Sequence, residues 1–168
     1  MRIFLTGLPG SGKTYLGKLW AADNGLSFYD LDELIVEEER MSIEKIFAVN
    51  GEDYFREKEA AVLRNTDRFE NCIVACGGGT PCFFDNMDWM NRNGITVFLN
   101  EQMANISHHI MNDSKIRPMF LAKTPEEFRM LIRKMAAMRY PVYSQSLVIV
   151  SPPELNRTGF AYIQKNIK

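Results

Sequence analysis

The segment Gly7-Leu8-Pro9-Gly10-Ser11-Gly12-Lys13-Thr14 constrains this chain more than any other. It matches G-x-x-x-x-G-K-[ST], and its flanks complete the pattern. The apolar run Ile3-Phe4-Leu5 precedes it, and Leu16, Leu19 and Trp20 follow at helical spacing. A buried strand that turns through glycines into a helix offers an anion curled backbone N–H groups and a favourable helix dipole. Lys13 is expected to reach the β- and γ-phosphates of a nucleotide, and the Thr14 hydroxyl to ligate Mg²⁺. A chance glycine-rich turn is the alternative, and strand, motif and helix in register disfavour it.

The rest of the chain alternates strands with helices. Phe28-Tyr29 reads as a strand ending at Asp30, followed by a charged helix over residues 31–40. Ser42 is a candidate N-cap for a turn carrying Ile43, Ile46 and Phe47, and Gly51 should end it. A helix follows over about residues 52–64, with Phe55, Glu59, Val62 and Leu63. Ile73 to Cys76 is a third strand, broken by Gly77-Gly78-Gly79, and a short helix at about residues 85–91 leads to a fourth strand, Ile95 to Leu99. Thr124-Pro125-Glu126-Glu127 is a helix start with Thr124 as N-cap, proline at N1 and Glu127 at N3. That helix should stop near Arg139, because Pro141 disfavours helix at Tyr140. Leu147 to Val150 is the fifth strand, and a last helix follows Thr158. The alternation predicts a five-stranded parallel sheet with helices on both faces. Residues 105–122 show little regular apolar pattern, which in a compact domain marks a functional lid or a disordered segment.

The 168 residues suit one domain, and 46% hydrophobic residues suffice for a core. Twenty basic against twenty-one acidic residues leave a net charge of -1, so no global pull toward nucleic acid or an anionic membrane is expected. Cys72, Cys76 and Cys82 are odd in number and match no zinc spacing, and read as reduced structural thiols. The stretch before Gly7 is too short for a signal-peptide core, and no apolar run approaches the roughly 20 residues of a membrane helix. A soluble, cytoplasmic chain is expected.

A P-loop alone says phosphate and magnesium. The short chain and the lack of N-K-x-D favour a small kinase over a GTPase or motor. Asp30 and Asp32 follow the second strand, at the end that opens onto the ligand crevice of α/β sheets. Residues two apart on an extended chain point the same way. The third strand ends without a carboxylate, so Asp30 is the candidate magnesium ligand, directly or through a water. Asp32 is then free to orient an acceptor hydroxyl and take its proton. Either aspartate can instead cap the next helix. Arg56, four residues after Glu52 and three before Glu59, reads equally well as a helix-surface ion pair. Arg117 falls in the expected lid, and Arg139 near a helix end. Together the arginines can serve as bidentate donors to a small carboxylated substrate.

Taken in order, these segments resemble shikimate kinases. The resemblance runs from Gly7–Thr14 through Asp30-Leu31-Asp32, Ile46-Phe47, Gly51-Glu52, Phe55-Arg56 with Glu59, and Gly77-Gly78-Gly79, to Arg117-Pro118 and Arg139 with Tyr143. It implies a P-loop, nucleoside-monophosphate-kinase-like α/β fold in one domain over residues 1–168, with a substrate-binding subdomain at about residues 31–62 and a lid at about residues 107–122. It implies transfer of the ATP γ-phosphate to the 3-hydroxyl of shikimate, in aromatic amino-acid biosynthesis, by a cytoplasmic monomer that binds neither nucleic acid nor membrane. By position, Asp32, Lys13 and Arg117 are then catalytic. Gly10, Ser11, Gly12, Lys13, Thr14, Tyr15 and Arg117 bind ATP, while Asp32, Arg56, Gly78 and Arg139 bind shikimate. Thr14 and Asp30 serve Mg²⁺. Relatives often carry an arginine near the adenine, where this chain has Ser107-His108-His109-Ile110. His109 either stacks on adenine there or is simply exposed. Two rivals remain at this stage: a kinase for another small metabolite such as gluconate, and a non-catalytic P-loop module.

Overall fold

The computed structural model describes residues 1–112 and 124–167. Five strands, β1 (Arg2–Thr6), β2 (Ser27–Asp30), β3 (Cys72–Ala75), β4 (Ile95–Leu99) and β5 (Val148–Val150), form one sheet in the order β2-β3-β1-β4-β5, with every pairing parallel. The three central strands are covered on both faces, which is why each reads as an unbroken apolar run rather than an alternating one.

Successive residues of β1 face opposite layers. Ile3 and Leu5 pack with Leu16, Trp20 and Ala21 of α1 (Lys13–Asp23) and with Phe160 and Ile163 of α7 (Gly159–Asn166). Phe4 packs the other way, against α2 (Leu31–Glu39), α3 (Ile43–Asn65) and α4 (Asn86–Asn93), through Leu31, Ile35, Ile46, Phe55, Val62 and Met90. A third cluster joins Leu8 and Phe98 to α5 (Met103–Asn112) and α6 (Pro125–Tyr143). The helix starts follow their caps. The Ser42 side chain accepts from the Lys45 N–H, and Thr124 and Glu127 form the expected capping box. Gly51 breaks α3 where the sequence placed a stop, with φ 83° and ψ 177°, so Arg56 and Glu59 ride on a segment that starts afresh after it.

Two elements differ from expectation. Residues 103–112, placed largely in an irregular segment, form α5, whose Ile106 and Ile110 are buried one turn apart against Phe128 and Ile132 of α6. Two apolar residues at i and i+4 are too few to stand out as a periodic face, and packing on α6 supplies what the pattern lacked. Of the expected lid, residues 113–122, with Arg117, Pro118, Met119 and Phe120, lie outside the described residues. The second difference is that α6 does not stop at Arg139 but runs through Pro141 to Tyr143. Proline removes one rung of the ladder. The loss falls in the last turn, where Tyr140 and Tyr143 pack on Phe98 with ring centroids 5.4 and 5.2 Å away.

All three cysteines are free thiols. Among the described residues, no helix is long and apolar enough to cross a membrane.

Candidate active site

The sheet register brings three loops to one edge. Leu5 and Asp30 both pair with Ala75, so the segment after β1, the end of β2 and the segment after β3 open side by side at the carboxyl ends of the strands.

After β1, Gly7, Gly10 and Gly12 take φ values of 142°, 78° and 89°, a backbone path that other residues resist. Gly12 is the N-cap of α1 and brings no side chain, so the first-turn N–H groups stay available to an anion. Lys13 is buried, with Nζ 2.8 Å from the carbonyl oxygens of both Gly7 and Leu8. Tyr15 follows with its side chain exposed. The loop is braced from above. A Cβ on Gly10 would lie 2.8 Å from Ile110 of α5, and His109 Nδ1 is 2.9 Å from the Gly10 carbonyl oxygen. A carbonyl only accepts, so Nδ1 carries the proton and donates. His109 is exposed, as one expectation had it, yet it is engaged with the phosphate loop.

The paired aspartates are not on an extended chain. Asp30 ends β2 as the N-cap of α2, its Oδ1 accepting the Asp32 N–H at 3.0 Å, and Asp32 sits in the first helical turn. The capping role is therefore real, and it leaves Oδ2 of Asp30 to accept from the Thr14 hydroxyl at 2.9 Å. A hydroxyl and a carboxylate meeting at the start of α1 are hard oxygen donors of the kind magnesium takes. Among the described residues no three His, Cys, Asp or Glu side chains gather as a metal cluster, so this pair is the candidate. It suits an ion that keeps waters and nucleotide oxygens in its shell.

The acceptor side is organised by Gly77, Gly78 and Gly79. None has a positive φ, so glycine is needed there for room rather than for conformation. A Cβ on Gly77 would lie 3.0 Å from Glu59 Oε1 and 3.1 Å from Asp32 Oδ1. On Gly78 it would lie 2.9 Å from Pro9 Cδ and 3.2 Å from Arg139 Nη1, and on Gly79 only 2.6 Å from Arg56 Nη1. Four residues expected at the acceptor from sequence, Asp32, Arg56, Gly78 and Arg139, are thus brought together beside the phosphate loop.

Arg56 makes the ion pairs its spacing suggested, to Glu52 Oε1 at 3.0 Å and to Glu59 Oε2 at 2.9 Å. The pair with Glu59 is no surface pair, because the Arg56 side chain is 12% exposed and that of Glu59 only 1%, whereas Glu52 is 56% exposed. The Phe83 ring lies across the guanidinium, 4.1 Å from Cζ to centroid. Nε and Nη2 share one oxygen of Glu52, and Nη1 reaches Glu59. Of the five N–H donors, one on each Nη remains for a planar carboxylate. Thr80 donates to Glu59 Oε1 at 2.6 Å. Burial pushes the Glu59 carboxyl above the usual range, against the Thr80 hydrogen bond and the Arg56 charge, which pull it down. Cys82 also lies near Arg139 and Arg56, and burial raises its thiol despite them. Thr80 and Phe83 escaped the sequence reading, since nothing in their spacing tied them to a distant arginine.

A family model described as shikimate kinase matches residues 9–167. The shikimate kinase of Phocaeicola vulgatus is 41% identical over 154 residues, 92% of this chain and 88% of that protein. The 1.7 Å crystal structure of shikimate kinase from Bacteroides thetaiotaomicron shares the fold with a TM-score of 0.92 at 35% identity, covering 99% of both chains. That of shikimate kinase from Acinetobacter baumannii, in complex with shikimate, gives a TM-score of 0.85 at 25% identity, covering 98% of this chain and 90% of that one. The fold is the expected P-loop, nucleoside-monophosphate-kinase-like one. Alike in sequence and in fold over nearly its whole length, the chain belongs to the shikimate kinase family, enzymes that phosphorylate shikimate with ATP in aromatic biosynthesis.

Proposed function

We propose that this chain transfers the γ-phosphoryl group of ATP to the 3-hydroxyl of shikimate, with the glycine turn at residues 77–79 as the floor of the acceptor site. The observation that carries the reading is the convergence of two carboxylates and two arginines on that turn: Asp32 and Glu59 at Gly77, Arg139 at Gly78 and Arg56 at Gly79, with Pro9 of the phosphate loop against Gly78. Such a set suits an acceptor that has hydroxyls and a carboxylate, and the relative from Acinetobacter baumannii is in complex with shikimate. A neutral acceptor, or a differently placed anion, would not need both arginines.

In this reading Arg56 and Arg139 clamp the shikimate carboxylate, and the Gly78 N–H contacts the substrate. Asp32 holds the acceptor hydroxyl. As that oxygen bonds to the γ-phosphorus, Asp32 takes the hydroxyl proton, and the bond to the bridging oxygen breaks to release ADP. The P-loop amides of residues 10–15 and the Lys13 ammonium hold the phosphates. Thr14 would hold magnesium together with Asp30, the latter directly or through a water, and the ion would neutralise phosphate charge. Arg117, which lies outside the described residues, is assigned to the phosphates on the lid. Residues 31–62 form the acceptor subdomain and residues 107–122 the lid, whose closure excludes water as a competing acceptor. The assignment is to a cytoplasmic monomer whose partners are the small molecules ATP and shikimate.

The test is ADP release with magnesium in the presence of shikimate, gluconate or nucleoside monophosphates, each at equal concentration. Turnover is expected on shikimate. No turnover on shikimate alongside turnover on another acceptor would overturn the assignment.

A further inference from the structure

Arg139 and Tyr143 lie one turn apart on α6, so their side chains leave the same face of the helix. Tyr143 is wholly buried, packed among Phe98 and Tyr140. A hydroxyl carried that deep is costly unless it is hydrogen-bonded. It donates to the carbonyl oxygen of Gly78. The same glycine meets Arg139 on its other flank, where a Cβ would come within 3.2 Å of Nη1. Burial holds the phenol well above its ordinary range, while the nearby Arg139 charge pulls it down. The phenol therefore stays protonated, a donor toward Gly78.

The backbone geometry shows what this hydroxyl can do. The Gly77 carbonyl accepts from the Thr80 N–H at 3.1 Å, and the Gly78 carbonyl accepts from Tyr143. In a trans peptide the N–H points opposite the C=O. Anchoring these two carbonyls therefore turns the N–H groups of Gly78 and Gly79 away from Thr80 and from the aromatic cluster behind Tyr143. Arg56 is held by carboxylates on its own helix and by Phe83, whereas Arg139 shares its helix face with the phenol that holds the turn.

We propose that Tyr143 is a positioning residue for the acceptor site, its hydroxyl anchoring the Gly78 carbonyl to the helix face that carries Arg139, so that the carboxylate clamp and the glycine turn keep one relative geometry. This rests on the proposed roles of Arg139 and Gly78. Tyr143→Phe removes only the hydroxyl. It is expected to raise the KM for shikimate about fivefold, the loss of one buried neutral hydrogen bond, while the KM for ATP stays within about twofold. In an Arg139→Ala background the same substitution should add little further loss in shikimate binding, because the two act as a unit. An unchanged shikimate KM, equal changes for both substrates, or full additivity with Arg139→Ala would each overturn the proposal. Should Tyr143→Phe fail to fold, proton NMR of the Tyr143 hydroxyl in the unaltered protein decides instead. Slow exchange with solvent is expected, and a fast-exchanging hydroxyl would refute the anchor. If the protein phosphorylates shikimate and these results go the wrong way, Tyr143 alone loses its role. Absence of any shikimate turnover would sink the parent reading with it.

Discussion

The two halves of this site are built on opposite plans. The phosphate half, as proposed, is built around eight consecutive residues whose working parts are backbone amides, one lysine and the start of a helix. The acceptor half draws Asp32 from α2, Arg56 and Glu59 from α3, Arg139 from α6 and three glycines from the end of β3, so its parts come from four stretches of chain. A contiguous device tolerates change elsewhere in the molecule. A dispersed one depends on the sheet register and on the packing of each helix. That difference also explains why parts of the acceptor half are held by neighbours: Arg56 by Glu52, Glu59 and Phe83, Glu59 by Thr80, and the Gly78 carbonyl by Tyr143.

If the halves are separate devices, substitutions should divide between the two substrates. The largest effect is expected at Asp32. Asp32→Asn should lower turnover by about 10²–10⁴-fold with nucleotide affinity largely kept, as read by steady-state kinetics and ADP binding. Undiminished turnover would remove Asp32 from the proton transfer. Next comes Arg139→Ala, expected to weaken shikimate binding by about a hundredfold and leave ATP nearly untouched. Equal weakening of both would break the division itself. His109→Leu tests the opposite side, since it cuts the bond to the Gly10 carbonyl. The KM for ATP should rise roughly threefold with shikimate unaffected, and a shift confined to shikimate would show α5 to belong to the wrong half.

The smallest effect is one of stability. The folded-state pKa of Glu59 is raised, so the folded protein holds that proton more readily than the unfolded chain does. Its contribution is thus most favourable below the unfolded value of 4.5 and declines as pH rises through the folded pKa. Denaturant titrations of the natural protein and Glu59→Gln should therefore show a stability difference that moves against the natural protein between about pH 4 and about pH 8. A difference that grows in its favour would mean that Arg56 and Thr80 outweigh burial.

How readable each half was in the sequence follows from the same contrast. The phosphate loop, all five strands and the caps at Ser42 and Thr124 depend on neighbours a few residues away, and these stood in the sequence within a residue or two of where they lie. Where long-range packing decides, local reading fell short. It missed α5, whose two buried isoleucines make sense only against α6, and it ended α6 at Arg139 although Tyr143 packed on Phe98 carries the helix past a proline. Arg56 could be read as a surface ion pair because its spacing from Glu52 and Glu59 is correct for one; the difference lies in the depth to which β3 and its glycines draw that pair. Asp30 and Asp32 were found by position, but the cap that rotates them apart depends on where α2 begins.

The glycine turn has one more consequence, for how such a protein can change. Each of its three positions already has other atoms standing where a side chain would begin. A random library at residues 77–79 would therefore mostly yield variants with displaced walls rather than new preferences. Selection for a different acceptor has more freedom at the surroundings, at Phe83 and Cys82 for instance, where a side chain already exists to be traded for another. The turn is a point of low evolvability, and the residues around it are where a drifting or engineered lineage would be expected to diverge.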